Sequence, residues 1–72
     1  MKYILSFRLA NRKGQIAPEI YYLRGLDEEG AIEWDTRKED AWVMDFEKAE
    51  LWRSMLLSRS SVLSCVIEPV NN

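Results

Sequence analysis

The sequence predicts a small α+β domain: a four-stranded, mainly antiparallel sheet with one amphipathic helix packed on one face, in the order β-β-β-α-β. Three observations carry this. KYILSFRL alternates apolar and polar with the period of a strand. After Asp45 the apolar period becomes that of a helix. A β-branched run, SVLSCVIEPV, then follows.

In KYILSFRL, Tyr3, Leu5, Phe7 and Leu9 fall on one side and Ile4, Ser6 and Arg8 on the other, as in a half-buried strand. ANRKG is a polar turn ending in Gly14. Pro18 cannot donate to a ladder, so it marks a strand start or an edge. EIYYLRG reads as the second strand, with Ile20, Tyr22 and Arg24 opposite Tyr21 and Leu23. Gly25 and Gly30 bracket the next turn. AIEW is a short third strand, Ile32 and Trp34 facing one way and Glu33 and Asp35 the other.

TRKE matches a capping box, with Thr36 as cap and Glu39 reaching back, and predicts one helical turn over 37–41. A second start lies at Asp45, an N-cap followed by Glu47 near the positive helix end. At about 100° per residue, Ala49, Trp52 and Leu56 share a sector of about 60°, flanked by Met55 and Leu57. This predicts a helix over 46–58, with Arg53 and Arg59 placed late, where cations suit the dipole. In the last segment Val62 and Val66 face one way, and Leu63, Cys65 and Ile67 the other. Two apolar faces predict an interior strand, ended by Pro69. Trp52 is core by its place in the helical sector, and Trp34 by alternation with Ile32. Trp42 lies between two helix starts with no periodic partner and is expected to be partly exposed.

Seventy-two residues make one domain, 1–72, with a small core. Cys65 is the only cysteine and histidine is absent. That excludes an intrachain disulfide, the usual Cys/His zinc site and any imidazole-based catalytic pair. Cys65 among valine and isoleucine reads as a small buried apolar side chain. No glycine-rich loop precedes a helix, so no phosphate cradle is visible. A metal or two-carboxylate site at Asp27, Glu28, Glu29, Glu33 and Asp35 lacks the spaced ligands of a calcium loop. The expectation is therefore no catalytic residue, no metal and no cofactor. MKYILSFRLANRKG is too short and too charged for a signal peptide, and no apolar run is long enough to span a membrane. With one unpaired thiol, this places the protein in the cytoplasm.

Charge is polarised along the chain. Residues 1–24 carry five basic side chains and one acid, whereas residues 27–50 carry ten acids and three bases. The acidic band, Asp27, Glu28, Glu29, Glu33, Asp35, Glu39 and Asp40 with Trp42, is the candidate partner-binding face. Complementary charge would speed encounter with a basic groove on another protein, and an aromatic side chain would anchor it. A competing reading makes a nucleic-acid surface of Arg8, Arg12, Lys13 and Arg24 with Tyr21 or Tyr22. The pI of about 5.0 opposes direct nucleic-acid binding, since such domains typically lie above about 9. A self-associating structural subunit is a third reading. Three Trp, three Tyr and two Phe are a large apolar load for so small a core, which makes a homodimer or a protein partner an expectation.

The run Trp34-Asp35-Thr36, then Ala41, Met44, Asp45 and Ala49, a helix, and a valine-rich strand reaching Glu68 resembles small phage- and prophage-encoded α+β proteins, some of them anti-CRISPRs. It departs from that pattern at Met44, where an aromatic is expected, and at Phe46, where a small polar residue is expected. The resemblance implies a small, acidic, non-enzymatic and often dimeric inhibitor. Such a protein blocks a host RNA-guided nuclease complex by occupying a basic surface where DNA would dock.

Overall fold

Alternating KYILSFRL forms β1 (Lys2–Leu9), which becomes an interior strand. The structure, a computed structural model, describes residues 1–70. The remaining elements are β2 (Tyr21–Leu26), β3 (Ile32–Asp35), a single 3-10 turn (Lys38–Asp40), α1 (Phe46–Leu57) and β4 (Val62–Val70). The four strands make one antiparallel sheet in the order β3-β2-β1-β4. The sequence-predicted fold class is thus the observed one.

Leu5 and Phe7 of β1, Leu23 of β2, and Val62 and Cys65 of β4 face α1 and bury against Met44, Ala49 and Leu56. Ala49 has no side chain beyond Cβ, so the helix can approach the sheet closely there. The helix lies across β1 and β4. Its start is capped as the sequence predicts: the Lys48 amide N–H donates to Asp45 Oδ1 at 2.9 Å.

The sheet forks between β1 and β2. Their ladder is limited to Ser6 opposite Tyr22 and Phe7 opposite Tyr21. Gly25, at φ 151°, sits where the β2–β3 register shifts, a bulge that bends the strand pair. Toward the start of β1 the segment 42–44 takes the place of β2. Tyr3 and Met44 exchange both backbone hydrogen bonds, at 2.8 and 2.9 Å, and the Trp42 amide donates to the Leu23 carbonyl at 2.8 Å.

Several local expectations are corrected. β4 is an edge strand, not an interior one. Between Arg8–Ser64 and Leu9–Val62 the register shifts, leaving Leu63 as an extra residue. That bulge puts Val62 and Cys65 on the same buried face, while Leu63 and Val66 stay exposed. Pro69 does not end the strand, which runs to Val70. An edge tolerates the missing N–H. The open edge is partly covered, because the Arg53 Nε–H donates to the Cys65 carbonyl at 2.9 Å. The second strand starts at Tyr21 rather than at Glu19. Thr36 caps nothing, since Arg37 precedes the 3-10 turn without a side-chain bond. Asp35 Oδ1 instead accepts from the Arg37 amide at 3.3 Å. The turn starts at Lys38, so Arg37 and not Thr36 stands at the cap position and Glu39 is not at N3. Trp34 is not core: it is 45% exposed, whereas Trp42 and Trp52 are both half-buried. Two strands separate β3 from β4, so β3 lies outside the cover of the helix.

Leu56 is fully enclosed, and its truncation leaves a cavity beneath the helix. Leu56→Ala is expected to lower stability by about 2–5 kcal/mol. Asp45→Ala removes only the cap bond and should cost about 1 kcal/mol. Urea unfolding followed by circular dichroism checks both values and their order.

Candidate functional site

The register converts the sequence's charge polarity into a spatial one. Leu9 pairs with Val62, so the turn holding Arg12 and Lys13 lies at the same end as the α1–β4 connection, which holds Arg59. The Ala10 amide donates to the Ser61 carbonyl at 2.8 Å and ties these segments together. At the opposite end, the helix starts beside Tyr3, whose ring meets Phe46 edge-on at 5.2 Å. The Asp27–Gly30 turn between β2 and β3 points the same way. Asp27, Glu28, Glu29, Asp45 and Glu47 therefore gather at one end, and Arg8, Arg12, Lys13 and Arg59 at the other.

The predicted acidic band divides into side chains that build the fold and side chains that do not. Asp27 Oδ1 accepts from the amides of Glu29 (2.9 Å) and Ala31 (2.8 Å), closing its turn. Asp35 caps the chain at Arg37 and lies 3.9 Å from Arg24 Nη1. Among the described residues, no hydrogen bond or salt bridge engages the side chains of Glu28, Glu29, Glu33, Glu39 or Asp40. All five residues are exposed.

Glu33, Asp35 and Glu39 lie on the side of the sheet away from the helix. Asp35 pairs with Tyr22, which pairs with Ser6, and by alternation Glu33 faces the same way. The 3-10 turn lies over this open face, where Lys38 Nζ meets Glu68 Oε1 at 3.3 Å. A shallow groove lined by Ile4, Glu39, Ala41 and Val43 runs beside it. Val66 is exposed on the same face, and Ile4, although on the open face, is buried under the turn. The result is a small apolar surface with a carboxylate rim. The hairpin-tip acids Asp27, Glu28 and Glu29 stand at its end.

Trp42 is not part of that surface. Its ring turns to the helix side, packs on Trp52 at 5.7 Å and lies under Lys48 Nζ at 4.2 Å. Sequence reasoning missed the exposed aromatic, Trp34, which meets Phe7 at 5.9 Å and Tyr21 at 6.5 Å. A width argument finds it: strands about 4.8 Å apart make four strands wider than a helix of about 10–12 Å, so one helix covers about two of them. The basic and tyrosine residues of the nucleic-acid reading do not converge. Arg24 is drawn to Asp35, Tyr21 is on the helix side, and Tyr22 is on the open face.

Among the described residues, no group of three or more His, Cys, Asp or Glu side chains is placed to hold a metal ion, and no helix is long and apolar enough to cross a membrane. Burial pushes the Cys65 thiol up from its ordinary value of 9.0 to about 11, against a smaller opposing pull from Arg53. A raised thiol pKa favours the neutral form in the folded state. Its contribution to stability is complete below pH 9.0 and is lost as pH rises toward 11. Native protein at pH 8 is expected to resist a thiol-specific disulfide reagent and to react promptly once unfolded in urea. Prompt native-state reaction would show that Cys65 is accessible. In comparisons with known proteins, no family model, curated protein or solved structure matches this chain.

Proposed function

We propose that this chain is a non-enzymatic protein-binding inhibitor that works in the cytoplasm. Its open sheet face docks on a basic surface of a host nucleic-acid-binding complex, as an anti-CRISPR protein would. The observation that carries this reading is the division of labour among the carboxylates. Asp27, Asp35 and Asp45 are consumed by turns and caps. The side chains of Glu28, Glu29, Glu33, Glu39 and Asp40 engage no hydrogen bond or salt bridge among the described residues; Glu33 and Glu39 rim the open face, and Glu28 and Glu29 stand in the turn at its end. Unpaired exposed acids lose little solvation until a cationic partner arrives, and their summed field steers that partner. The apolar floor at Val43 and Val66 supplies contact area once charge has aligned the two surfaces. Competition with a phosphate backbone requires no catalytic group, in keeping with a chain that lacks histidine.

A second reading draws support from the gathering of Arg8, Arg12, Lys13 and Arg59 at the opposite end. Those cations would make the chain a nucleic-acid-binding accessory protein. Retention on heparin at low salt, abolished by Arg12→Glu with Lys13→Glu, would favour it.

The quadruple variant Glu28→Lys, Glu29→Lys, Glu39→Lys and Asp40→Lys separates binding from folding. It spares Asp27, Asp35 and Asp45. The expected outcome is an unfolding free energy changed by no more than about 0.5 kcal/mol per substitution, and loss of the protein partner captured from host extract by the tagged native chain. Undiminished capture by the variant would refute the acidic-face reading.

A further inference from the structure

The outer edge of β4 is the place where a further strand would join the sheet, and its outward backbone groups from Cys65 to Pro69 can be assigned. Tyr3 spends both of its backbone groups on Met44, on the side of β1 away from β4. Tyr3 stands opposite Pro69, so that pair of the β1–β4 ladder is not hydrogen-bonded. Hydrogen-bonded and non-hydrogen-bonded pairs alternate along an antiparallel ladder. Leu5–Ile67 and Phe7–Cys65 are therefore not hydrogen-bonded either, and Cys65, Ile67 and Pro69 direct their backbone groups outward. The Arg53 contact agrees, since its Nε–H reaches the Cys65 carbonyl at 2.9 Å from outside the ladder.

An incoming strand seeks an N–H and a C=O at each of these positions. Cys65 offers only its N–H, because Arg53 occupies its carbonyl. Pro69 offers only its carbonyl, and its ring fills the place of the missing N–H. Ile67, between them, offers both. Upstream, the bulge at Leu63 breaks the register. The edge is thus closed on both flanks of one open residue.

Closure matters because the strand carries little protection of its own. VLSCVIEPV holds Glu68 as its one charged residue, and that side chain faces the open side and meets Lys38. A long, apolar edge is a template for pairing with another chain. Every copy of the protein presents the same edge, so the matching template is β4 of a second copy. In an antiparallel pairing of two β4 edges about Ile67, Cys65 of each copy stands opposite Pro69 of the other. The occupied carbonyl and the proline ring then collide on both flanks. We propose that Arg53 is the guard of this edge: it reaches from α1 across the groove beside β4 and acts with Pro69 to keep the strand from adding to β4 of a second copy. The open-face carboxylates take no part, so the guard and the acidic-face reading stand or fall separately.

Amide hydrogen exchange and sedimentation equilibrium test the guard. In the native chain the outward Ile67 amide is expected to exchange at least about tenfold faster than the Val66 amide, which bonds to β1. Arg53→Ala frees the Cys65 carbonyl and keeps a strong helix former. Pro69→Thr restores an N–H in a residue that suits strands. The double variant is expected to self-associate at a concentration at least about tenfold below that of the native chain, with its Ile67 amide newly protected. Each single variant should fall between the two. Circular dichroism establishes that the variants remain folded, and the single variants carry the same comparison if the double variant does not fold. Folded variants no heavier than the native chain at every concentration would overturn the proposal. So would association that leaves the Ile67 amide unprotected, or slow exchange of that amide in the native chain.

Discussion

The exchange of backbone hydrogen bonds between Tyr3 and Met44 is the contact on which the rest of the arrangement depends. β1 is an interior strand with β4 along one side, and on the other side β2 pairs with it only at Ser6 and Phe7. An interior strand with unmet backbone groups is costly, so the segment 42–44 must enter the fork. That entry decides three things together. It carries the chain from the open face, where the 3-10 turn lies, to the helix face. It starts α1 beside Tyr3, which fixes the helix along β1 and β4. It also turns the Trp42 ring inward against Trp52 and buries Met44. Methionine suits this position because its flexible side chain fills the irregular space a fork leaves.

Because α1 starts at that end, its positive terminus faces the acidic end of the molecule and its negative terminus faces Arg59. The helix dipole and the side-chain charges therefore oppose each other, a favourable alignment at both termini. The polarity of charge along the sequence is thus partly a folding requirement. What folding does not require is the surplus of glutamates beyond the cap and the first turn.

Much of the architecture was legible in the sequence because periodicity reports burial directly. β1, the third strand and the helix match their predicted spans closely, and Asp45 caps as its position implies. What escaped was non-local. The exposure of Trp34 depends on strand order, because alternation assigns a face but not the layer above it. The bulge at Leu63 depends on β4 pairing with β1, and it makes two apolar faces where an interior strand would have made them for another reason. Thr36 failed as a cap because Asp35, one residue earlier, reaches the Arg37 amide with a charged acceptor. Of the candidate site, the acidic residues themselves were legible. Their sorting into structural and unengaged groups was not, since it rests on hydrogen bonds that the sequence does not display.

That sorting follows side-chain length. Three of the aspartates in the acidic stretch accept backbone N–H bonds, at Asp27, Asp35 and Asp45, whereas no glutamate there does. A carboxylate one methylene from the backbone can bend back to a neighbouring amide at little entropic cost, which is why aspartate favours turns and caps. A carboxylate two methylenes out loses more rotamer freedom in the same bond and stays in solvent. The protein therefore uses two acids for two purposes, short ones to set backbone turns and long ones to carry field outward. Glu47 illustrates the consequence on the helix. It stands in the first turn, where its charge suits the dipole. Among the described residues its carboxylate makes no hydrogen bond or salt bridge, so its contribution to folding is the charge it places at the positive end of the helix.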